Sequence, residues 1–202
     1  HSKIAITVTA ALILVGAILI FIFEYNNHLT IAEMSLFDKI QVSFFQSVTT
    51  RTAGFATVPQ ENLTNASAAV SIILMLVGGS PVGTAGGMKT VTIAVLICSA
   101  FATIRNKNSA TLFGRRISKE SIKKAVAVVV MFLTICTAAT ILLMATSNAS
   151  AMDAVYETVS ATATVGLSRN LTSTLNTFGK LIIIVTMYFG RVGPISLAVA
   201  LG

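Results

Sequence analysis

Charge is what this sequence has least of. Only 10% of its 202 residues are Asp, Glu, Lys or Arg, against roughly a quarter in typical soluble domains, which excludes an ordinary water-facing globular protein. The chemistry of a metal or catalytic centre is also missing. Its two histidines, His1 and His28, make no ligand cluster, and the two cysteines, Cys98 and Cys136, lie far apart in apolar runs. They read as small buried hydrophobes rather than a disulfide or metal pair. No HExxH, no CxxC and no nucleophile–base pairing occurs, so the usual marks of an enzyme are lacking.

What fills the space is hydrophobic, 54% of the chain. Apolar runs cover Ile4 to Phe23, Ala66 to Val77, Val91 to Ile104, Ala125 to Ala145 and Leu181 to Leu201. The first is about twenty residues, enough to cross a hydrocarbon core of about 30 Å. It is too long for a signal peptide, and no small-residue cleavage site follows it. The chain starts close to one apolar helix and stops inside another, as expected of a piece of a larger membrane protein.

The net charge of +7 does not indicate nucleic acid. Arg105, Lys107, Arg115, Arg116, Lys119, Lys123 and Lys124 share one segment with a single acid, Glu120, whereas Glu24, Glu33, Asp38, Glu61, Asp153 and Glu157 fall on the other side of the apolar runs. The positive-inside rule places 105–124 in the cytoplasm and the acidic segments outside.

One unit occurs twice. Phe44–Phe55, "FFQSVTTRTAGF", and Val155–Leu167, "VYETVSATATVGL", align on Gly54 and Gly166, which pairs Thr50 with Thr162, Thr52 with Thr164, Ala53 with Val165 and Phe55 with Leu167. Each copy follows a Ser-x-x-Asp helix start, Ser35 with Asp38 and Ser150 with Asp153. The helices so begun, roughly 36–49 and 151–161, are too short to span and must enter and return. Non-helical backbone at membrane depth is tolerated only beside protein or water, so the Thr/Gly tips are expected to line a water-filled path. Extended backbone there can turn successive carbonyl oxygens toward a cation. The helix's C-terminal end adds partial negative charge.

"LVGGSPVGTAGGMKT", Leu76 to Thr90, imitates a phosphate loop, but Met88 stands where the second essential glycine belongs. The segment instead splits an apolar stretch too long for one span. Gly78-Gly79 and Pro81 are expected to break the helix, which resumes near Met88. Arg191 is a second oddity. A charge inside a spanning run costs roughly 2.5–3.5 kcal/mol on insertion scales, so it should face a cavity, bond to carbonyls, or snorkel to an interface. Arg51 is read as bracing the first Thr/Gly tip from behind, and Lys89 as either part of the glycine-rich segment or an anchor near the inner surface.

With "SVTTRTAGF", "GGSPVGTAGGMKT", "SATATVGLS" and "GRVGP" in place, the chain resembles the Ktr/Trk/HKT superfamily of potassium transporters, most closely the bacterial Ktr-type membrane subunit. The resemblance runs through nearly the whole chain. It implies an all-α polytopic membrane fold of the potassium-channel type, built from helix, pore helix with filter, helix repeats. Two of four such repeats are expected here, the third in 1–104 and the fourth in 125–202, joined by the basic loop 105–124. The implied filters are Thr52, Ala53, Gly54 and Phe55, and Thr164, Val165, Gly166 and Leu167. Potassium would be held at Thr52, Ala53, Gly54, Thr164, Val165 and Gly166. Each filter has one glycine where tetrameric potassium channels have two, which implies fewer ordered ion sites. The implied gate comprises Gly79, Ser80, Pro81, Gly83, Thr84, Gly86 and Gly87, with Arg191 against it.

The same resemblance implies potassium uptake at the bacterial plasma membrane and no covalently bound cofactor; sodium dependence stays open. Implied partners are membrane lipid, a second membrane subunit in a homodimer, and a cytoplasmic ring of nucleotide-binding regulatory subunits. The competing reading is a secondary transporter with broken helices. It is disfavoured because no acid lies inside a spanning run and the two units run in the same direction.

Overall fold

The first apolar run is one continuous helix. α1 (Ser2–Glu24) has 23 residues, about 35 Å at about 1.5 Å per residue. The structure is a computed structural model that describes residues 2–79, 86–106, 111–112 and 115–192. In it α1 and the 28-residue α5 (Lys119–Thr146) are long and apolar enough to cross a membrane. Two shorter apolar helices accompany them, α3 (Asn65–Leu76) and α4 (Thr90–Ile104), together with α8 (Thr177–Val192), which carries Lys180 and Arg191. Threonines inside these helices donate to the carbonyl four residues back, Thr134 to Val130, Thr140 to Cys136 and Thr186 to Ile182, at 2.7 to 2.8 Å. An apolar medium gives a hydroxyl no other partner, so the helix supplies one.

Two helices are far shorter than a bilayer. α2 (Leu36–Thr49) has 14 residues and α6 (Ala151–Thr162) has 12, about 21 and 18 Å. Both begin where the Ser-x-x-Asp pattern places them. The Ser35 hydroxyl accepts from the Asp38 N–H at 3.2 Å and donates to its carboxylate at 2.6 Å. Ser150 and Asp153 repeat this at 3.2 and 2.7 Å. The acid in the first turn also suits the positive end of the helix dipole.

The order long helix, short helix, irregular turn, apolar helix thus occurs twice. In the first pass the closing helix is split into α3 and α4. Between the passes lies a two-residue antiparallel ladder, β1 (Thr111–Leu112) with β2 (Arg115–Arg116), where the sequence suggested only a loop. A further turn of helix, α7 (Leu171–Thr174), precedes α8.

α6 sits at the centre, buried from Tyr156 to Thr162. Around it pack Ala68 and Met75 of α3, Phe132 and Cys136 of α5, and Val165 and Leu167 from its own C-terminal turn. Lipid tails are as apolar as leucine, so packing rather than water exclusion holds such helices together, and small residues let backbones close up. Gly16 does this in α1: a Cβ there would lie 2.4 Å from the Ser47 hydroxyl and 2.6 Å from Leu74 Cδ1. The Ser47 hydroxyl donates to the Ile13 carbonyl beside it, at 2.8 Å.

Polar knots stitch one end of the bundle. Glu24, 1% exposed, accepts from Asn27 Nδ2, the Thr30 hydroxyl, and the N–H and hydroxyl of Thr64 at 2.6 to 2.9 Å. Thr64 is the N-cap of α3, so this carboxylate fastens the end of α1 to the start of α3. Elsewhere the surface is apolar. Leu14, Ile18 and Ile22 of α1, Phe37, Ile40 and Phe44 of α2, and Leu181, Ile184 and Tyr188 of α8 are exposed. Such a surface suits hydrocarbon or further protein, not water.

Candidate functional site

Both short helices end in the same unusual backbone. Thr52 has φ 71° and Gly54 φ 78°; Thr164 has φ 56° and Gly166 φ 92°. The aligned pairs therefore share left-handed geometry, residue for residue, while Ala53 and Val165 between them do not. Alternating hand sets successive backbone groups on one side of the chain instead of opposite sides. Glycine accepts this freely; a β-branched threonine does so at a cost of about 1–3 kcal/mol. Strain stored twice, at matching positions, marks these turns as built for a purpose.

Each turn is tied to its own helix. In the first, the Ala53 and Gly54 N–H groups donate to the Thr49 carbonyl at 3.1 and 3.2 Å. The Thr49 hydroxyl accepts from the Phe55 N–H at 2.8 Å and donates to the Phe55 carbonyl at 2.6 Å. In the second, the N–H groups of Ala163, Thr164 and Val165 reach the carbonyls of Val159, Ala161 and Ser160 at 2.8 to 3.1 Å. The surroundings differ. Val165 and Leu167 are buried in the central cluster, but Ala53 is exposed and Phe55 is 70% exposed.

The two turns meet backbone to backbone. A Cβ on Gly54 would stand 2.2 Å from the Val165 carbonyl oxygen, and the nearest atom to one on Gly166 is Gly54 Cα at 4.0 Å. Beside them opens a cavity of about 600 Å³, lined by Glu157, Thr164, Val165, Gly166 and, from α8, Tyr188 and Arg191. Gly190 lets α8 come this close, since a Cβ there would lie 2.1 Å from the Thr162 carbonyl.

The break in the split helix lies against both turns. α3 stops at Leu76, and α4 starts at Thr90, two residues beyond the expected Met88, because Met88 pairs with Val77 in a parallel bridge. Gly78 and Gly86 touch, with a Cβ on Gly78 falling 2.2 Å from the Gly86 carbonyl. The Gly86 N–H donates to the Thr164 hydroxyl at 2.8 Å. Arg51 Nη2 donates to the Gly78 carbonyl at 3.1 Å and to the Thr9 hydroxyl at 3.4 Å. Arg51 thus reaches back from its turn to the broken helix. Among the expected gate residues Gly79, Gly86, Gly87 and Arg191 are placed; Ser80, Pro81, Gly83 and Thr84 lie outside the described residues. Lys89, the N-cap of α4, lies within electrostatic reach of Arg191.

A buried polar network that the sequence reading did not single out surrounds the far end of the turns. Gln60 Oε1 accepts from Gln46 Nε2 of α2 at 2.6 Å and from the Tyr156 hydroxyl of α6 at 2.9 Å. Arg169 Nε donates to Asp153 at 2.7 Å. Asp153 is pushed up by burial, but hydrogen bonds from Ser150 and Arg169 and the Arg169 charge outweigh this and hold it below the usual carboxylate range. Glu157 accepts from the hydroxyls of Ser168 and Thr172. Burial dominates there and raises its pKa despite those bonds. The available signal was Arg169 itself, a cation in an otherwise acidic flanking segment.

Set against known proteins, residues 2–201 match the TrkH family of cation transport proteins. The Ktr system potassium uptake protein B of Vibrio alginolyticus is 38% identical over 198 residues, which are 98% of this chain and 44% of that protein. The potassium/sodium uptake protein NtpJ of Enterococcus hirae is 35% identical over 205 residues, 100% of this chain and 45% of that one. The crystal structure of the potassium transporter TrkH from Vibrio parahaemolyticus superposes with a TM-score of 0.81 at 19% identity, covering 99% of this chain and 43% of that one. It shares the helical fold. The chain spans a little under half the length of these relatives.

Proposed function

The chain belongs to the TrkH family of cation transport proteins, and from that premise we propose that it is half of the pore-forming subunit of a Ktr-type potassium uptake system in the bacterial plasma membrane, which it crosses several times. Residues 1–104 form the third pore repeat, 105–124 a cytoplasmic basic loop and 125–202 the fourth repeat. Potassium is the substrate, passed along and not chemically changed. The observation that carries this reading is the matched pair of strained turns, left-handed at Thr52 and Gly54 and again at Thr164 and Gly166.

The turns act as two of four filters. Carbonyls of Thr52, Ala53 and Gly54, and of Thr164, Val165 and Gly166, replace part of the ion's hydration shell, with the C-terminal ends of α2 and α6 aimed at the ion. The segment 79–87 is an intramembrane gate, and Arg191, which shares a cavity with Thr164 and Gly166, adds a positive barrier beside it. A second membrane subunit and cytoplasmic nucleotide-binding subunits complete the system. The reaction is translocation, not catalysis.

Growth of an uptake-deficient bacterial strain on limiting potassium, with the full-length protein supplied, tests the reading. Rescue that is lost with Gly166→Ser while the protein remains in the membrane supports it. Failure of the normally inserted full-length protein to take up potassium refutes it.

A further inference from the structure

Arg169 lies three residues past Gly166, and its reach is unusual. Nε donates to Asp153 on α6 at 2.7 Å, Nη1 to the carbonyls of Gln60 and Leu63 at 3.1 and 3.4 Å, and Nη2 to the Glu61 carbonyl at 3.3 Å. The guanidinium also stands 6.0 Å from the centre of the Tyr156 ring. Only 9% of its side chain is exposed. Three of its four acceptors belong to the 3-10 turn Gln60–Asn62 and the residue after it, the segment that leaves the first Thr/Gly turn. One side chain therefore joins the exit of one turn to the exit of the other, across more than a hundred residues of sequence.

The same 3-10 turn is gripped a second time. Gln60, 2% exposed, holds α2 through Gln46 and α6 through the Tyr156 hydroxyl, while its own Nε2 donates to the Val58 carbonyl at 2.8 Å. The two turns meanwhile touch at Gly54 and Val165 with no room for a Cβ. Contact at that one point sets the closest approach of the turns, and the ties at the two exits hold them against it.

We infer that Arg169, seconded by the Tyr156–Gln60 bond, is a positioning residue that sets ion selectivity by locking the third and fourth filters at one separation; the inference rests on the filter reading above. The planar guanidinium suits the task. It addresses a carboxylate and three carbonyls in fixed directions at once, where an ammonium would present a single point charge on a flexible stem. Its charge is matched by Asp153, so its role is geometric, not that of a binding site for the ion.

The test separates geometry from folding. In the full-length protein, Arg169→Lys keeps the charge and removes the fork. The ratio of potassium to sodium uptake should fall by about two- to thirtyfold, the range over which residues outside a site modulate it. A merely structural residue would lower the uptake of both ions in proportion to the inserted protein and leave the ratio unchanged. Tyr156→Phe opens only the second tie and should move the ratio in the same direction, which keeps the inference testable if Arg169→Lys does not insert. An unchanged ratio in both variants, alongside a changed ratio in Gly166→Ser, overturns the lock and leaves the filter reading standing. An unchanged ratio in all three overturns both.

Discussion

The two aligned glycines should not tolerate the same substitution equally. Gly54→Ala and Gly166→Ala each place a side chain on left-handed backbone, at φ 78° and 92°, which costs about 1–2 kcal/mol for an L-residue. If the turn relaxes to shed that strain, the native arrangement is depleted by roughly five- to thirtyfold. At Gly166 nothing else is added, because the nearest atom to the new Cβ is 4.0 Å away. At Gly54 the Cβ would lie 2.2 Å from the Val165 carbonyl oxygen, against an ordinary C···O contact of about 3.3 Å. One of the two turns must retreat by about 1 Å, a misplacement that costs on the order of 10²-fold where geometry is critical. Potassium uptake and its competition by sodium, measured on the full-length protein and normalised to membrane abundance, should show Gly54→Ala as the worse variant by about two orders of magnitude. Sequence alignment alone predicts equal effects. Equal effects, or a worse result for Gly166→Ala, would refute the close approach of the two turns as the controlling contact.

Four further outcomes are expected. Gly16→Leu drives a side chain into Ser47 and Leu74 and should destabilise the bundle by about 1–3 kcal/mol, read as a lower melting temperature in detergent with selectivity intact in the surviving protein. Deleting Ser80 to Gly83 and, separately, Arg191→Ala should raise potassium flux without loss of selectivity, and the double variant should gain less than the product of the two because both act on one barrier; lower flux from an inserted deletion variant would sink the gate. A cysteine at Ser109 should be labelled by a membrane-impermeant reagent only from the cytoplasmic side, and labelling of intact cells would reverse the topology. Asp153 has a depressed folded-state pKa, so its stabilising pairing with Arg169 is present above its unfolded value and is lost only as pH falls through the folded one. This tie should therefore add no pH dependence to selectivity above about pH 5, and its contribution should be lost only as pH falls through the depressed Asp153 value; a decline already near pH 7 would exclude this pair as the cause.

What the sequence disclosed was local chemistry. A Ser-x-x-Asp start is settled within four residues, so both short helices begin where the pattern says. A glycine that must be left-handed declares itself alone, so Gly54 and Gly166 aligned two turns whose threonines then proved left-handed as well. The contacts that fix the turns to one another lie beyond local reach. Arg169 meets Gln60 at a separation of 109 residues, and Gly16 and Gly190 look like any tolerated glycine in an apolar helix until the neighbouring backbone is in place. These distant contacts fall at both ends of the turns. At one end Arg169 and Tyr156 join the two exits; at the other Arg51 holds the Gly78 carbonyl and Thr164 holds the Gly86 N–H. A strained backbone persists only where its surroundings over-determine it. Left-handed threonine is disfavoured by its own sequence, and these four ties are the surroundings that keep it in place; each has at least one partner outside the repeated motif, at Arg169, Gln60, Gly78 or Gly86.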